Sequence, residues 1–386
     1  MYNRLISLPL NPKRSLFLLG PRQVGKSTLL RAKYPKSFYL DFLKSDEFMR
    51  FQEKPSLLRT EYAAQQVEFP IIIDEVQKVP LILDEVHWLI ENRHIKFILC
   101  GSSARKLKRG KANLLGGRAL HYEMRGLLAD ELAADFSIDK ILNRGYLPEH
   151  YDADDSEFPA LIRSYVGDYL KEEIAAEALV RNLSSFTTFL HTSSFSDTEP
   201  VNFATIARDV GVSAHTIKEH FEILVDTMQG SWLPAYTKRV KRRVRQTPKF
   251  YFNDVGVVNF LARRGNIQSG SELFGKAFEN YMFHELDAYR IYKNPDLLLS
   301  YWNLSSGVEV DFILNDMELA VEIKGVSKVK NDHLKGLREL HVDFPRIKAR
   351  YLVCLEDRPR KTEDGIHILP FRDFLTKLWS NEIVGL

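Results

Sequence analysis

The stretch Leu18-Leu19-Gly20-Pro21-Arg22-Gln23-Val24-Gly25-Lys26-Ser27-Thr28 reads G-x-x-x-x-G-K-S. An apolar run at 16–19 precedes it and a helix-forming run at 27–32 follows. Strand, glycine-rich loop and helix in that order make a phosphate-binding loop. Gly20 and Gly25 let the backbone wrap close to phosphates, with consecutive N–H groups pointing inward. The helix that opens near Lys26 brings its positive end to the same point. Lys26 is placed to reach the β- and γ-phosphates, and the Ser27 hydroxyl to ligate Mg²⁺. The expected nucleotide contacts are Gly20, Pro21, Arg22, Gln23, Val24, Gly25, Lys26, Ser27 and Thr28.

Downstream, Pro70-Ile71-Ile72-Ile73-Asp74-Glu75 reads as a buried parallel strand with two acids at its C-terminal edge. That edge is where open α/β sheets bind ligands. Asp74 is expected to hold Mg²⁺, and Glu75 to deprotonate the water that attacks the γ-phosphorus. A further strand, Phe97-Ile98-Leu99-Cys100, ends in Gly101-Ser102-Ser103. There Ser103 is expected to touch the γ-phosphate or the attacking water. After a basic stretch at 104–111, Leu114-Leu115-Gly116-Gly117-Arg118 offers an arginine. In an oligomer Arg118 would complete a neighbouring subunit's site as an arginine finger; otherwise it is a surface arginine.

A length of 386 residues suggests two or three domains, and 45% hydrophobic content suffices for real cores. No apolar run approaches the ~18 residues that a membrane span needs. Met1-Tyr2-Asn3-Arg4 lacks the apolar stretch of a secretory signal. The two cysteines, Cys100 and Cys354, end apolar runs. They fit a reducing cytoplasm rather than a disulfide framework. With 54 basic and 51 acidic residues the net charge of +3 implies no partner; its distribution says more.

Residues 1–128 alternate strand-like and helix-like segments, with strands expected at 16–19, 37–40, 71–73 and 97–100. A helical linker is expected over 129–195, where Leu161, Tyr165, Tyr169 and Ile174 form an apolar stripe for packing on the core. Within 196–265, helices at 203–210 and 213–224 flank Gly211 with helix-turn-helix spacing. Ser213 caps the second helix. Ile206, Val210, Val212, Ile217, Phe221 and Leu224 point to the core, while Ala214, His215, Lys218 and Glu219 point outward. The run Lys238-Arg239-Val240-Lys241-Arg242-Arg243-Val244-Arg245 has no acid. On a β-hairpin wing, Lys238, Arg239, Lys241, Arg242, Arg243 and Arg245 would grip phosphates beside Lys218.

The last segment, 266–386, opens with a helix on which Phe278, Met282 and Leu286 share a face. In the strand Val308-Glu309-Val310-Asp311-Phe312-Ile313-Leu314, alternation puts Val308, Val310, Phe312 and Leu314 on one side and Glu309 and Asp311 on the other. The next strand puts Glu322 and Lys324 on a common face, so a hairpin would bring Asp311, Glu322 and Lys324 together.

These motifs carry a resemblance. Gly20 to Thr28, Ile73-Asp74-Glu75, Gly101-Ser102-Ser103 and Gly117-Arg118 resemble a group of prokaryotic AAA-type ATPases with a C-terminal domain of poorly defined function. The likeness continues through Gly145-Tyr146-Leu147-Pro148, Tyr169-Leu170-Lys171-Glu172-Glu173-Ile174, Phe250-Tyr251-Phe252-Asn253-Asp254-Val255-Gly256 and Glu309-Val310-Asp311. The set Asp311, Glu322 and Lys324 resembles the PD-(D/E)xK nuclease core. In that core two carboxylates hold Mg²⁺ and the lysine helps to activate water. Glu279 resembles the helix acid of the resolvase-like branch, and Val310 stands where many members have proline.

The chain therefore reads as α/β. It has a P-loop NTPase core of AAA type, a helical linker with a winged helix, and a C-terminal restriction-endonuclease-like α/β domain. The resemblance implies a cytoplasmic ATPase that uses Mg and ATP, yields ADP and phosphate, and couples nucleotide state to DNA binding. Two alternatives stand beside it: an ATP-regulated nuclease acting through Asp311, Glu322 and Lys324, and a nucleotide-switched module that binds a protein partner and no DNA.

Overall fold

The computed structural model describes residues 2–102, 115–173, 180, 182–238 and 244–384. Strands β1 (Ser15–Leu19), β2 (Tyr39–Asp41), β3 (Ile71–Asp74), β4 (Phe97–Gly101) and β5 (Ala119–Glu123) form a parallel sheet in the order β2-β3-β4-β1-β5. β1, β3 and β4 are buried along their whole length, as expected of a sheet covered on both faces. Alternation divides their side chains. Phe17, Leu19, Ile71, Ile73, Phe97 and Leu99 join one core, and Leu16, Leu18, Ile72, Ile98 and Cys100 join the other. Because all five strands run the same way, the glycine-rich loop after β1, the acids after β3 and Ser102 after β4 share one edge. β5 has no counterpart among the expected strands. Of Ala119-Leu120-His121-Tyr122-Glu123 only Ala119 is fully buried, so pairing with β1 rather than apolar content makes it a strand.

The linker helices include Ile138–Arg144, Phe158–Ser164 and Leu183–Ser194. Tyr165 and Tyr169, with Phe186 and Phe189, pack into the same core as Leu16, Leu18 and Val24. The expected stripe thus does its work, with Leu161 only half-buried and Ile174 outside the described residues. The helices Phe203–Val210 and Ala214–Asp226 follow, and the Ser213 hydroxyl accepts the Thr216 N–H at 3.1 Å to cap the second. Ile206, Ile217, Phe221 and Leu224 are buried, Val210 and Val212 partly so, and Ala214, His215, Lys218 and Glu219 are exposed.

Strands β6 (Gly230–Leu233) and β7 (Lys249–Phe252) pair antiparallel. Between them lies the basic run expected on a hairpin wing, of which residues 239–243 are outside the described residues. The described flanks hydrogen-bond to the next strand region. The Tyr236 N–H donates to the Tyr301 carbonyl at 2.7 Å, and the Arg245 N–H to the Asn303 carbonyl at 2.9 Å.

The C-terminal sheet has six strands: β8 (Leu299–Asn303), β9 (Glu309–Leu314), β10 (Leu319–Ile323), β11 (Ala349–Cys354), β12 (Arg360–Lys361) and β13 (His367–Pro370). Their order is β12-β13-β11-β10-β9-β8. The long helix Glu272–Tyr292 lies against it, burying Phe278, Met282 and Leu286 as expected. The expected alternation in β9 fails at one point. Val310 packs with Ile313 and Val308 on one side, while Phe312 and Leu314 face the other core. Ser300 pairs with Ile313 but Trp302 with Val310, so Asp311 and Phe312 together oppose Tyr301. This one-residue bulge resets which face each side chain takes. Both cysteines are free and buried. Among the described residues no helix is long and apolar enough to cross a membrane.

Candidate functional site

The sequence after β1 folds as a loop because glycine stands where other residues cannot. Gly25 has φ 98°, and a Cβ on Gly20 would lie 2.6 Å from the Met124 carbonyl oxygen. The helix Lys26–Lys33 follows with no acid in its first turn, so its positive end is open to an anion. Lys26 is buried, and its Nζ donates to the carbonyls of Gly20 at 2.8 Å and Pro21 at 2.7 Å. Both acceptors are neutral, so the ammonium charge remains available to phosphate.

Asp74 ends β3, also buried. Its Oδ2 accepts the Ser27 hydroxyl at 2.6 Å and the Tyr39 hydroxyl from β2. The two side chains expected to hold Mg²⁺ are therefore in contact. The donor set of hydroxyl, carboxylate and ammonium beside a loop too tight for a Cβ fits a magnesium–triphosphate complex. Glu75 follows in a left-handed conformation, φ 55° and ψ 42°. For a residue with a Cβ this costs about 1–2 kcal/mol. Burial pushes its carboxyl above the ordinary value, against the pull of Lys26. Gln77 donates to the Glu75 carboxylate and, at 3.0 Å, to the Ser102 hydroxyl, while its own Oε1 is buried without a partner. A strained, desolvated acid held by a buried amide at the sheet edge suits a general base.

Sequence reasoning missed four of these supports. Tyr39 and Gln77 carry no motif. Ser102 was passed over for Ser103, which lies outside the described residues. Arg4 braces the loop from behind, donating to the Val24 carbonyl at 2.8 Å and pairing with Glu131 at 2.9 Å. Beside Gly25 and Thr28 a cavity of about 160 Å³ opens, walled by Tyr2, Arg4 and Pro148. Arg22 lies over the Tyr169 ring, 5.4 Å from its centroid, linking loop to linker. Arg118 pairs with Glu91 beside the start of β5, at the sheet edge opposite the loop. It does not reach this chain's own phosphate loop.

The second constellation assembles as well. Asp311 Oδ2 accepts the Ile323 N–H at 2.7 Å, and Lys324 Nζ lies 2.6 Å from Glu322 Oε1. Asp311, Glu322 and Lys324 thus converge, with Glu279 nearby on its helix. One member was not expected. Lys249 of β7, 1% exposed, places its Nζ 3.0 Å from Glu279 and 3.9 Å from Asp311, and pairs with Glu309. The Tyr251 hydroxyl donates to Glu279 at 2.7 Å. Burial raises the Glu279 and Glu322 carboxyls well above their ordinary value. Among the described residues no group of three His, Cys, Asp or Glu stands in a metal-holding arrangement.

Of the expected nucleic-acid contacts, Arg239, Lys241, Arg242 and Arg243 lie outside the described residues. Lys218 is exposed over the Phe203 ring, Lys238 lies 3.6 Å from Asp316, and Arg245 is exposed.

Comparisons with known proteins divide the chain in three. Residues 12–133 match the family model of an AAA domain. Residues 135–268 and 274–374 match two domains of unknown function, DUF8612 and DUF4143. Uncharacterized proteins of Mycobacterium bovis and Mycobacterium tuberculosis are each 26% identical, over 96% of this chain and 83% of theirs. The Aeropyrum pernix Orc1 protein, solved in complex with DNA, aligns with 65% of this chain and 87% of its own at 11% identity. Its TM-score of 0.27 is too low for a shared fold. The AAA match and the P-loop geometry support a nucleotide-binding ATPase.

Proposed function

We propose that the chain binds MgATP at the β1 loop and hydrolyses it to ADP and phosphate. The observation that carries this reading is the contact of Ser27 with Asp74 at 2.6 Å, next to Lys26 resting on neutral carbonyls. The amides of 20–27 and Lys26 bind the phosphates. Ser27 and Asp74 hold the metal. Magnesium, when bound, supplies positive charge that offsets charge developing on the phosphates. Glu75 takes a proton from water as its oxygen attacks the γ-phosphorus, and Gln77 keeps Glu75 in place. The raised affinity of Glu75 for protons favours that transfer. The cavity beside Gly25 and Thr28 takes the base. Arg118, at the far edge, completes a neighbouring copy's site.

The experiment is a pair of variants. Lys26→Ala is expected to abolish nucleotide binding, and Glu75→Gln to keep binding but stall turnover. Hydrolysis by Glu75→Gln at the wild-type rate would remove Glu75 from the base's role.

The outward face of the helix Ala214–Asp226, with His215, Lys218 and Glu219 exposed, and the acid-free basic run at 238–245 of the sequence support DNA as the partner whose binding ATP controls. Neutralising Arg242, Arg243 and Arg245 is expected to weaken DNA binding and flatten its salt dependence. Equal DNA affinity with ATP and with ADP would break the coupling.

A further inference from the structure

The acids of the C-terminal domain are of the type that holds a divalent ion, yet as arranged they do not fit one. The place among Glu279, Glu309 and Asp311 is taken by an ammonium group that arrives from another part of the chain. Lys249 heads β7, which pairs with β6 after the helix-turn-helix. Alternation puts Lys249 and Tyr251 on one face of β7, and both reach the same oxygen, Glu279 Oε1. Phe250 and Phe252 take the other face, in the core shared with the two helices and the ATPase sheet. The Tyr301 ring lies below the ammonium, 5.3 Å from Nζ to centroid. One lysine thus meets three carboxylates from a helix and a strand, at 1% exposure.

We infer that the Lys249 ammonium is the resident cation of this cluster, standing in place of a divalent metal and fastening β7 to the C-terminal domain. The ammonium fills the space between these oxygens and cancels one of their charges, so a second cation entering there would meet its like charge at close range. Beside it, Glu322 Oε2 is buried without a hydrogen-bond partner. Its residue is 6% exposed, so a ligand position remains incomplete while the lysine is docked. Withdrawal of β7 would turn the cluster into an oxygen-rich site for a hard divalent or trivalent ion. Occupation of that site would in turn exclude β7.

Terbium(III), a hard oxygen-seeking probe that Tyr251 and Tyr301 would sensitise, tests this on the full chain. Wild type and Asp311→Asn are expected to give the same terbium luminescence, because the cluster is closed in both. Lys249→Met is expected to gain a saturable emission that disappears in the Lys249→Met/Asp311→Asn double variant. A saturable wild-type emission lost in Asp311→Asn would overturn the inference, even if Lys249→Met fails to fold. So would folded Lys249→Met that gains no emission.

Discussion

Among the described residues two lysines are buried close to acids, and they are used in opposite ways. Lys26 rests on the carbonyls of Gly20 and Pro21, while the neighbouring Asp74 is satisfied by hydroxyls. Neither charge cancels the other, so the site keeps its capacity for phosphate and metal. Lys249 is surrounded by Glu279, Glu309 and Asp311, and its charge is consumed inside the fold. The same residue types therefore make an open site at one end and a closed one at the other. Partner choice decides between them: neutral oxygens leave a charge available, and carboxylates use it up.

The largest contrast concerns turnover. Glu75→Gln is expected to slow ATP hydrolysis by about 10²–10⁴-fold with nucleotide affinity nearly unchanged, as for loss of a general base. A phosphate-release assay beside equilibrium binding separates the two. Next is the closed site. Lys249→Met leaves buried carboxylates without their partner and should cost about 3–5 kcal/mol in urea unfolding. The open site should behave otherwise. Lys26→Ala abandons only neutral acceptors, so its unfolding midpoint should stay close to wild type. A loss as large as that of Lys249→Met would erase the distinction.

Acid tests two buried histidines. Burial lowers His150 to about 4 and His284 to about 3, against an ordinary value of 6.5. Both stay neutral in the fold while the unfolded chain takes up protons below 6.5. Stability from these two groups is thus full above 6.5 and falls as pH drops toward 4, at up to about 2.7 kcal/mol per unit. The raised Glu279 and Glu322 carboxyls contribute with the opposite sign in this window, so the histidine share is read by difference. In urea melts at several pH values, replacing either histidine with phenylalanine should lower the slope by about 1.4 kcal/mol per unit. The smallest effect concerns Tyr39→Phe, which removes one hydroxyl from Asp74. About 1.5–3 kcal/mol attends a hydrogen bond to a charged group. The loss should appear as weaker magnesium dependence of hydrolysis, not as lost nucleotide binding.

The open site was legible because its parts are local. A glycine-rich loop, a strand before it and two acids ending a second apolar strand are contiguous patterns with fixed chemistry. The convergence of Asp311, Glu322 and Lys324 was legible too, since period-two alternation and a short connection settle which faces meet. Three things were not. β5 is a strand through pairing with β1, and its own five residues show no apolar run. The bulge at Asp311–Phe312 depends on the register of β8, which no pattern in β9 announces. Lys249 lies far along the chain from the acids it meets. The one available signal was a charged residue sharing a face with Tyr251 in an otherwise aromatic strand, Lys249-Phe250-Tyr251-Phe252. A lysine there must find buried acids.

The central claim is that the β1 loop receives a magnesium-bound triphosphate through Lys26. Isothermal calorimetry of nucleotide-free protein with MgATP tests it most directly, using wild type, Lys26→Ala and the slow Glu75→Gln. The account predicts one saturable site per chain in wild type and in Glu75→Gln, and none in Lys26→Ala. Binding by folded Lys26→Ala equal to that of wild type, or no heat from folded wild type, would contradict it.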